Sequence, residues 1–270
     1  MNFDTVRQLE QIEQHAWTDF HRAAPTNIAS EYAISARMTD SACCAIAAKI
    51  DVLALNRVMG LLKGRRTIDD EIDSWIEAYK SAGAGRFFVQ PSPTALEDQI
   101  EHRLERKGFR HYNNWVKLYR KLDPLPPIRS DLGTRQIGPD EGGTFGQIVA
   151  ECFEWPEIAV NWLAATVGRP NWHHFMAYAA DRPVATAAMY TAGDYAWADF
   201  AATLAAYRGR GAQSVLMARR LEAAANAGCR WLIVETAENR EGKPAPSFRN
   251  MVRYGFTQAY VRPNYLWTFG

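Results

Sequence analysis

Arg208-Gly209-Arg210-Gly211-Ala212 alternates bare backbone with positive charge immediately ahead of an apolar-periodic segment. A helix N-terminus leaves its first backbone N–H groups without partners and carries partial positive charge. Glycine lets that backbone approach a ligand closely, and arginine adds forked charged donors. These properties together suit phosphate oxygens, most simply a diphosphate on a strand–loop–helix unit. A P-loop needs Lys-Ser/Thr after its second glycine, whereas Ala212-Gln213-Ser214 follows here. A dinucleotide-binding loop needs a third glycine where Ser214 stands.

The loop must be held by its neighbours. "YAWADFAATLAA" before it reads as a strand, and a helix follows from Ala212 to Ala227, closing on Gly228. "RWLIVET" is a strand, "PSFRNMVRYG" a helix and "FTQAYVRPNYLW" a last strand. Upstream, "DEGGTFGQIVAECFE" and "PEIAVNWLAATVG" read as helices, and "WHHFMAYAADRPVATAAMY" as a hairpin turning at "ADRP".

The first half repeats this order. Phe3, Val6, Leu9, Ile12, Ala16, Trp17 and Phe20 mark an amphipathic helix. "EYAISARM" and "SACCAIAAKIDVLALNRVM" read as strands, "TIDDEIDSWIEAYKSAG" as a helix capped by Thr67, and "RFFVQPSP" as a strand. "TALEDQIEHRLERKG" is a helix and "FRHYNNWVKLYRKL" a strand or strand pair. Gly108-Phe109 and Gly255-Phe256 each follow a helix and open a strand, which suggests a duplicated unit. Three prolines in "DPLPPIRSD" mark a linker at 123–131, leaving domains at 1–122 and 132–270.

Composition narrows the function. Of 270 residues, 47% are hydrophobic and the net charge is +1, which argues against a nucleic-acid binder. Cys43, Cys44, Cys152 and Cys229 show no metal-ligand spacing, so neither a metal site nor disulfides are expected. The N-terminal residues lack the apolar stretch of a signal peptide, and no run is long enough to span a membrane. A cytoplasmic protein, monomer or homodimer, is expected.

"YRGRGAQSVLMARRLEAAANAGC" resembles the acetyl-CoA-binding segment of the GNAT N-acetyltransferase superfamily, whose signature is Arg/Gln-x-x-Gly-x-Gly/Ala. Arg208 and Gly211 match, while Gln213 stands at the last small position. The resemblance covers 132–270 well and 1–122 weakly, where "MGLLKGRRTIDDE" lacks the signature. It implies an α/β (α+β) fold of two GNAT-like domains, each a mixed, mostly antiparallel sheet flanked by helices, the first a degenerate repeat without the cofactor loop. Acetyl-CoA would lie between two splayed strands, those containing Thr203 and Glu235. Backbone at Ala202, Thr203 and Leu204 would align the thioester arm, and amides of Gly209, Arg210, Gly211, Ala212, Gln213 and Ser214 would cradle the pyrophosphate. Ser247, Asn250 and Arg253, at near-helical spacing, would face the cofactor or the acceptor.

Direct transfer to an amine needs a base for the ammonium and an acid for the thiolate. Glu235 and Asp199, carboxylates on otherwise apolar strands, are the base candidates; burial would raise their pKa usefully. The family's usual acid position holds Met251, leaving Tyr254 as a substitute. Tyr260, Arg262 and Tyr265 are candidates for lining the acceptor pocket, and His173 or His174 could approach it. The expected activity is acetyl transfer to a small-molecule amine. A non-catalytic acyl-CoA sensor and a protein-amine acetyltransferase are the alternatives. An aromatic-rich closed pocket would favour the small molecule.

Overall fold

Helix α1 (Phe3–Arg22) carries its apolar stripe as expected, but its opposite side is buried too: Glu10, Glu13, Gln14 and His21 are all inside. The reason is its position across the sheet, against strands of both halves. In the computed structural model, residues 3–39, 41–61, 67–96, 99–123 and 130–270 are described, so most of the expected linker, 124–129, lies outside the described residues.

After α1 come α2 (Thr26–Glu31), β1 (Ile34–Met38), β2 (Cys43–Ala47), β3 (Arg57–Leu61), α3 (Ile68–Ala82) and β4 (Arg86–Pro91). The half ends with α4 (Pro93–Leu96), α5 (Ile100–Lys107) and β5 (Arg110–Lys121). The second half runs β6 (Gly133–Gln136), α6 (Gly142–Phe153), α7 (Ile158–Ala164), β7 (Trp172–Ala179), β8 (Arg182–Ala192) and β9 (Tyr195–Thr203). It closes with α8 (Ala212–Asn226), β10 (Trp231–Ala237), α9 (Pro246–Arg253) and β11 (Thr257–Thr268).

Two elements differ from the sequence expectation. Helix α2 forms in a stretch for which the apolar spacing predicts no helix: Pro25 sits at its N-cap, and buried Ile28 anchors the turn. The expected helix at 94–108 divides into α4 and α5, with Gln99 at φ 56° before α5. Residues 110–121, read as a strand or a strand pair, form one long strand.

The described strands form a single eleven-stranded sheet in the order β1-β2-β3-β4-β11-β5-β10-β9-β8-β7-β6. All neighbours are antiparallel except β3–β4 and β9–β10, which are parallel. The centre is an exchange. The last strand of the second half, β11, pairs with β4 of the first, and β5 of the first half pairs with β10 of the second. β5 and β11 then pair with each other. The sheet therefore crosses the 123–131 boundary three times, and each half is completed by a strand of the other.

Helices cover both faces. The core beneath α1, α6 and α7 contains Phe20 stacked on Trp162, with ring centroids 4.4 Å apart. Trp162 also donates from Nε1 to the Phe20 carbonyl at 2.7 Å, tying α7 to α1 across the halves. On the other face, Met217, Leu221 and Ala224 of α8 pack on Ala196, Ala198 and Leu232 of the sheet. No helix among the described residues is long and apolar enough to cross a membrane.

Candidate active site

Two parallel neighbours, β9 and β10, pair only from Trp231↔Tyr195 to Ile233↔Trp197. Beyond that point they separate. On its other side β9 bulges against β8 between Ala188↔Asp199 and Thr186↔Ala202, with Phe200 at φ 49°. The bulge turns β9 away from β10 and opens a cleft. The following loop places Gly209 and Gly211 at φ 81° and 80°, a region that disfavours any side chain. Gly211 is the N-cap of α8 and offers no side-chain cap. Among the described residues, the amides of Gly209, Arg210, Gly211, Ala212 and Gln213 donate to no protein acceptor. Five free donors thus converge at the positive end of a helix.

These residues line a cavity of about 600 Å³. Its walls include Ala202, Thr203, Arg208, Gly209, Gly211, Ala212, Gln213 and Ser214, joined by Ser247, Asn250, Arg253 and Tyr254 of the α9 segment. Leu204 and Arg210 do not line it. Leu204 packs into the core. Arg210 pairs with Asp131 and lies over the Tyr207 ring at 5.6 Å, so its charge is spent on the end of the linker. Gln213, the departure from the small-residue signature, is a strut: its amide donates to the Ala202 carbonyl and to Thr203 Oγ1, both at 3.0 Å. The Tyr254 hydroxyl shares a 2.8 Å hydrogen bond with Ser214 Oγ on the first turn of α8.

A second cavity, about 400 Å³, opens on the far side of the bulge. The two share Phe153 and divide β9 between them: Trp197 to Phe200 face the second, Ala201 to Thr203 the first. Both base candidates, Asp199 and Glu235, line this second cavity. So do Trp155 and Trp197, whereas Trp162 and Trp172 are core. Trp17, Ala54, Arg57 and Trp115 come from the first half.

Glu235 belongs to a buried charge network that sequence reasoning did not assemble. Arg262 NH2 donates to it at 2.5 Å, and Arg57 and Lys117 lie 3.6 and 3.8 Å away. Arg262 also grips Glu10 and Glu13 at 2.8 and 2.7 Å, and Lys117 pairs with Glu13. Burial raises the Glu235 pKa, and its Oε1 has no hydrogen-bond partner. Burial opposes ionisation of Glu13 as well, but the attraction of Arg262, Lys117 and Arg57 wins and lowers its pKa. One buried carboxyl is thereby held well below the usual carboxylate range and its neighbour is pushed above it. Burial also raises Asp199, despite hydrogen bonds from Trp197 Nε1 at 3.0 Å and the Phe200 amide at 2.8 Å. Across the sheet, Arg220 of α8 is buried and pulled down to about 10 by desolvation, with Tyr254 and Asp199 the charges that oppose the drop.

Several expected contacts are absent from the pocket. Arg262 is fully buried on protein carboxylates and lines neither cavity, so it does not receive an acceptor carboxylate. Tyr260 donates to Glu10, and Tyr265 belongs to the core beneath α3 and α5. His174 is buried against Thr166 Oγ1 at 2.9 Å, and desolvation lowers it to about 3; His173 lines neither cavity. Met251, at the family's usual acid position, is core. The network itself left a faint trace in the sequence: Arg57, Lys117, Glu235 and Arg262 are charges next to apolar residues within strands.

Residues 144–243 match the model of the acetyltransferase (GNAT) family. This stretch is a GNAT domain. It runs from α6 through the loop, α8 and β10. Comparison with curated proteins gives no match. Among solved structures, the GNAT-related fold extends over nearly the whole chain. A GCN5-related N-acetyltransferase from Kribbella flavida is 14% identical, with 93% of this chain and 95% of that one covered at TM-score 0.61. A functionally unknown conserved protein from Staphylococcus epidermidis is 11% identical, with 91% and 98% covered at TM-score 0.61. A tandem GNAT protein from the clavulanic acid biosynthesis pathway is 16% identical, with 79% and 75% covered at TM-score 0.58. At these identities the likeness is one of fold.

Proposed function

We propose that the chain transfers an acetyl group from acetyl-CoA to a small-molecule amine, with the cofactor bound by residues 132–270 and the acceptor enclosed with help from residues 1–122. Residues 123–131 join the two. The single observation that carries this reading is the junction of the two cavities at the β9 bulge: free amides line one side, and carboxylates among aromatic rings line the other.

The residues fit the cofactor. Five free amides, from Gly209 to Gln213, suit the pyrophosphate, and Arg208, Ser247 and Asn250 line the same cleft. The open edge of β9 beyond Trp197 can pair with an extended amide-containing arm. Acetyl-CoA would supply an activated thioester. The chain's own residues hold the acceptor against it and move protons. Glu235 takes the proton from the ammonium, so that the neutral nitrogen can attack the thioester carbonyl and the carbon–sulfur bond can break. Asp199 is the alternative base. The departing thiolate takes its proton from Tyr254 or from water. The Ala202 carbonyl is already met by Gln213, so amides rather than that carbonyl are left to orient the arm.

The aromatic lining of the acceptor cavity favours a small molecule over a protein amine. Calorimetric titration of the full chain with acetyl-CoA, followed by an amine screen for CoA release, tests the reading. Binding at one site with turnover of a small amine supports it. Absence of acetyl-CoA binding removes it. Binding without turnover of any small or peptide amine leaves the acyl-CoA sensor in its place.

A further inference from the structure

The acceptor cavity says more about its occupant than that it bears an amine. About 400 Å³ is enclosed chiefly by Trp17, Trp115, Trp155, Trp197, Phe153 and Phe200. Four of the rings form a connected wall: Trp17 and Trp155 lie 6.2 and 6.3 Å from Phe200, and Phe153 lies 5.6 Å from Trp155. Such faces attract cations and compact aromatic bodies and do nothing to replace the hydration of a polyol. The volume is near the lower end of small-molecule sites, room for one ring and a short arm.

Its polar groups are few and unequal. Arg57 is the one cation among the lining residues. Its guanidinium lies 4.1 Å from the Trp17 ring centre and 5.1 Å from that of Trp115. Its NH1 faces Gln90 at 3.1 Å, Glu13 at 3.3 Å and Glu235 at 3.6 Å. Its Nε is buried without a hydrogen-bond partner, but its NH1 is committed to the protein and the group is covered by indoles, which leaves no bidentate fork for an incoming carboxylate. The two carboxylates differ from it. Glu235 keeps one buried oxygen without a hydrogen-bond partner, and Asp199 sits beside it on the same cavity wall. A buried acceptor left unpaired is costly, and an ammonium supplies the missing donor.

We propose that the acceptor is a small arylalkylamine: one primary ammonium on a short arm, one aromatic ring, and no carboxylate. This rests on the acetyl-transfer reading above. The ammonium would meet Glu235 and Asp199 at the bulge, where the two cavities join, and the ring would lie among the tryptophans. The walls contributed by Trp17 and Trp115 make the first half the part of the chain that selects the acceptor.

The test uses the full chain and three probes: phenethylamine, phenylalanine and spermidine. Acetyl-CoA binding is followed by calorimetry, probe binding by tryptophan quenching, and transfer by release of the CoA thiol. Phenethylamine is expected to quench and to be acetylated with kcat/KM about a hundredfold above either other probe, since a site with a desolvated acceptor and no free anion partner rejects an unmatched charge strongly. Trp115→Leu is expected to raise KM for phenethylamine up to about tenfold, the scale of a lost aromatic pair and its buried area, with acetyl-CoA affinity unchanged. Trp155→Leu gives an independent wall variant should the first fold poorly. Equal or better transfer to phenylalanine or spermidine overturns the proposal, as does failure to acetylate phenethylamine while acetyl-CoA binds. Quenching by phenethylamine without acetyl-CoA binding keeps the amine pocket and overturns the acetyl-transfer reading. Neither signal overturns both.

Discussion

The parallel pair β3–β4 stands in the first half where β9–β10 stands in the second, and the two have opposite fates. β3 and β4 pair from Arg57↔Phe88 through to Leu61↔Pro91, across a bulge at Gly60. At that bulge Gln14 of α1 donates to the Met59 and Gly60 carbonyls, both at 3.0 Å, and a Cβ on Gly60 would collide with Gln14 and Glu10. The helix that follows, α3, is capped by the Thr67 side chain accepting from the Asp70 amide, and Asp69, Asp70 and Glu71 fill its first turn. Those carboxylates complement the helix dipole and repel an anion. α8 has no side-chain cap and no acid in its first turn. Among its described residues, the first half keeps β3 and β4 paired and caps α3 with a side chain. The second has left its strand edge and helix end open, which is the condition for a ligand to bind there.

The largest effect should come from treating the halves as separable. A fragment of residues 132–270 lacks β5, which fills the space between β10 and β11, and is expected not to fold. Circular dichroism and solubility of the fragment against the full chain check this; a folded fragment that binds acetyl-CoA would break the exchange argument. Next, Glu235→Gln should lower kcat by about 10²- to 10⁴-fold, the usual worth of a positioned base, with acetyl-CoA affinity unchanged by calorimetry. The same variant sharpens the pH profile. Burial raises Glu235 above the ordinary 4.5. The ionised form does the work, so kcat/KM should fall as pH drops through that raised value, and Glu235→Gln should abolish this acid limb. A limb that survives assigns the base to Asp199, which burial raises as well.

Gly211→Val should weaken acetyl-CoA about tenfold or more. It forces a β-branched residue to φ 80°, a strain of about 1–2 kcal/mol, and it crowds the free amides. Unaltered affinity would sink the loop as the phosphate site. The smallest effect is Ala212→Asp, which gives α8 the acidic first turn of α3. An unfavourable charge there is worth about 0.3–1 kcal/mol, so affinity should fall about two- to fivefold, and the loss should shrink with added salt.

What the residues revealed in advance followed from local rules. Glycines at Gly209 and Gly211 announced a left-handed loop, and Gly108 and Gly255, at φ 102° and 79°, do end their helices as the repeated Gly-Phe pairs imply. The hairpin at "ADRP" joins β7 to β8 as read. Both base candidates proved to line one cavity, although nothing local said so. The exchange of β5 and β11 was not legible, because a strand's pattern reports which face is buried and not which partner it meets. Nor was the charge network: Glu10, Glu13 and Gln14 follow the spacing of a solvated helix face. Only the strands of both halves packed against that face, β3, β5 and β11, reveal them as interior. Arg262 misled for the same reason, since a strand arginine suggests an open anion site until its buried carboxylate partners are seen.

The strand exchange also governs how the chain is made. Tyr265 pairs with Val89 and Leu266 with Phe88, so the first half's sheet waits for almost the last residues of the chain. Pairings of such high contact order form slowly, after a large loop-closure cost. During synthesis, β4 must leave the ribosome with one unpaired edge and β5 with two, and they stay that way until β10 and β11 have been translated, a period of exposure in which a chaperone or an edge-covering segment has something to protect. Truncation of the final strand would therefore be felt first in the half that was translated earliest.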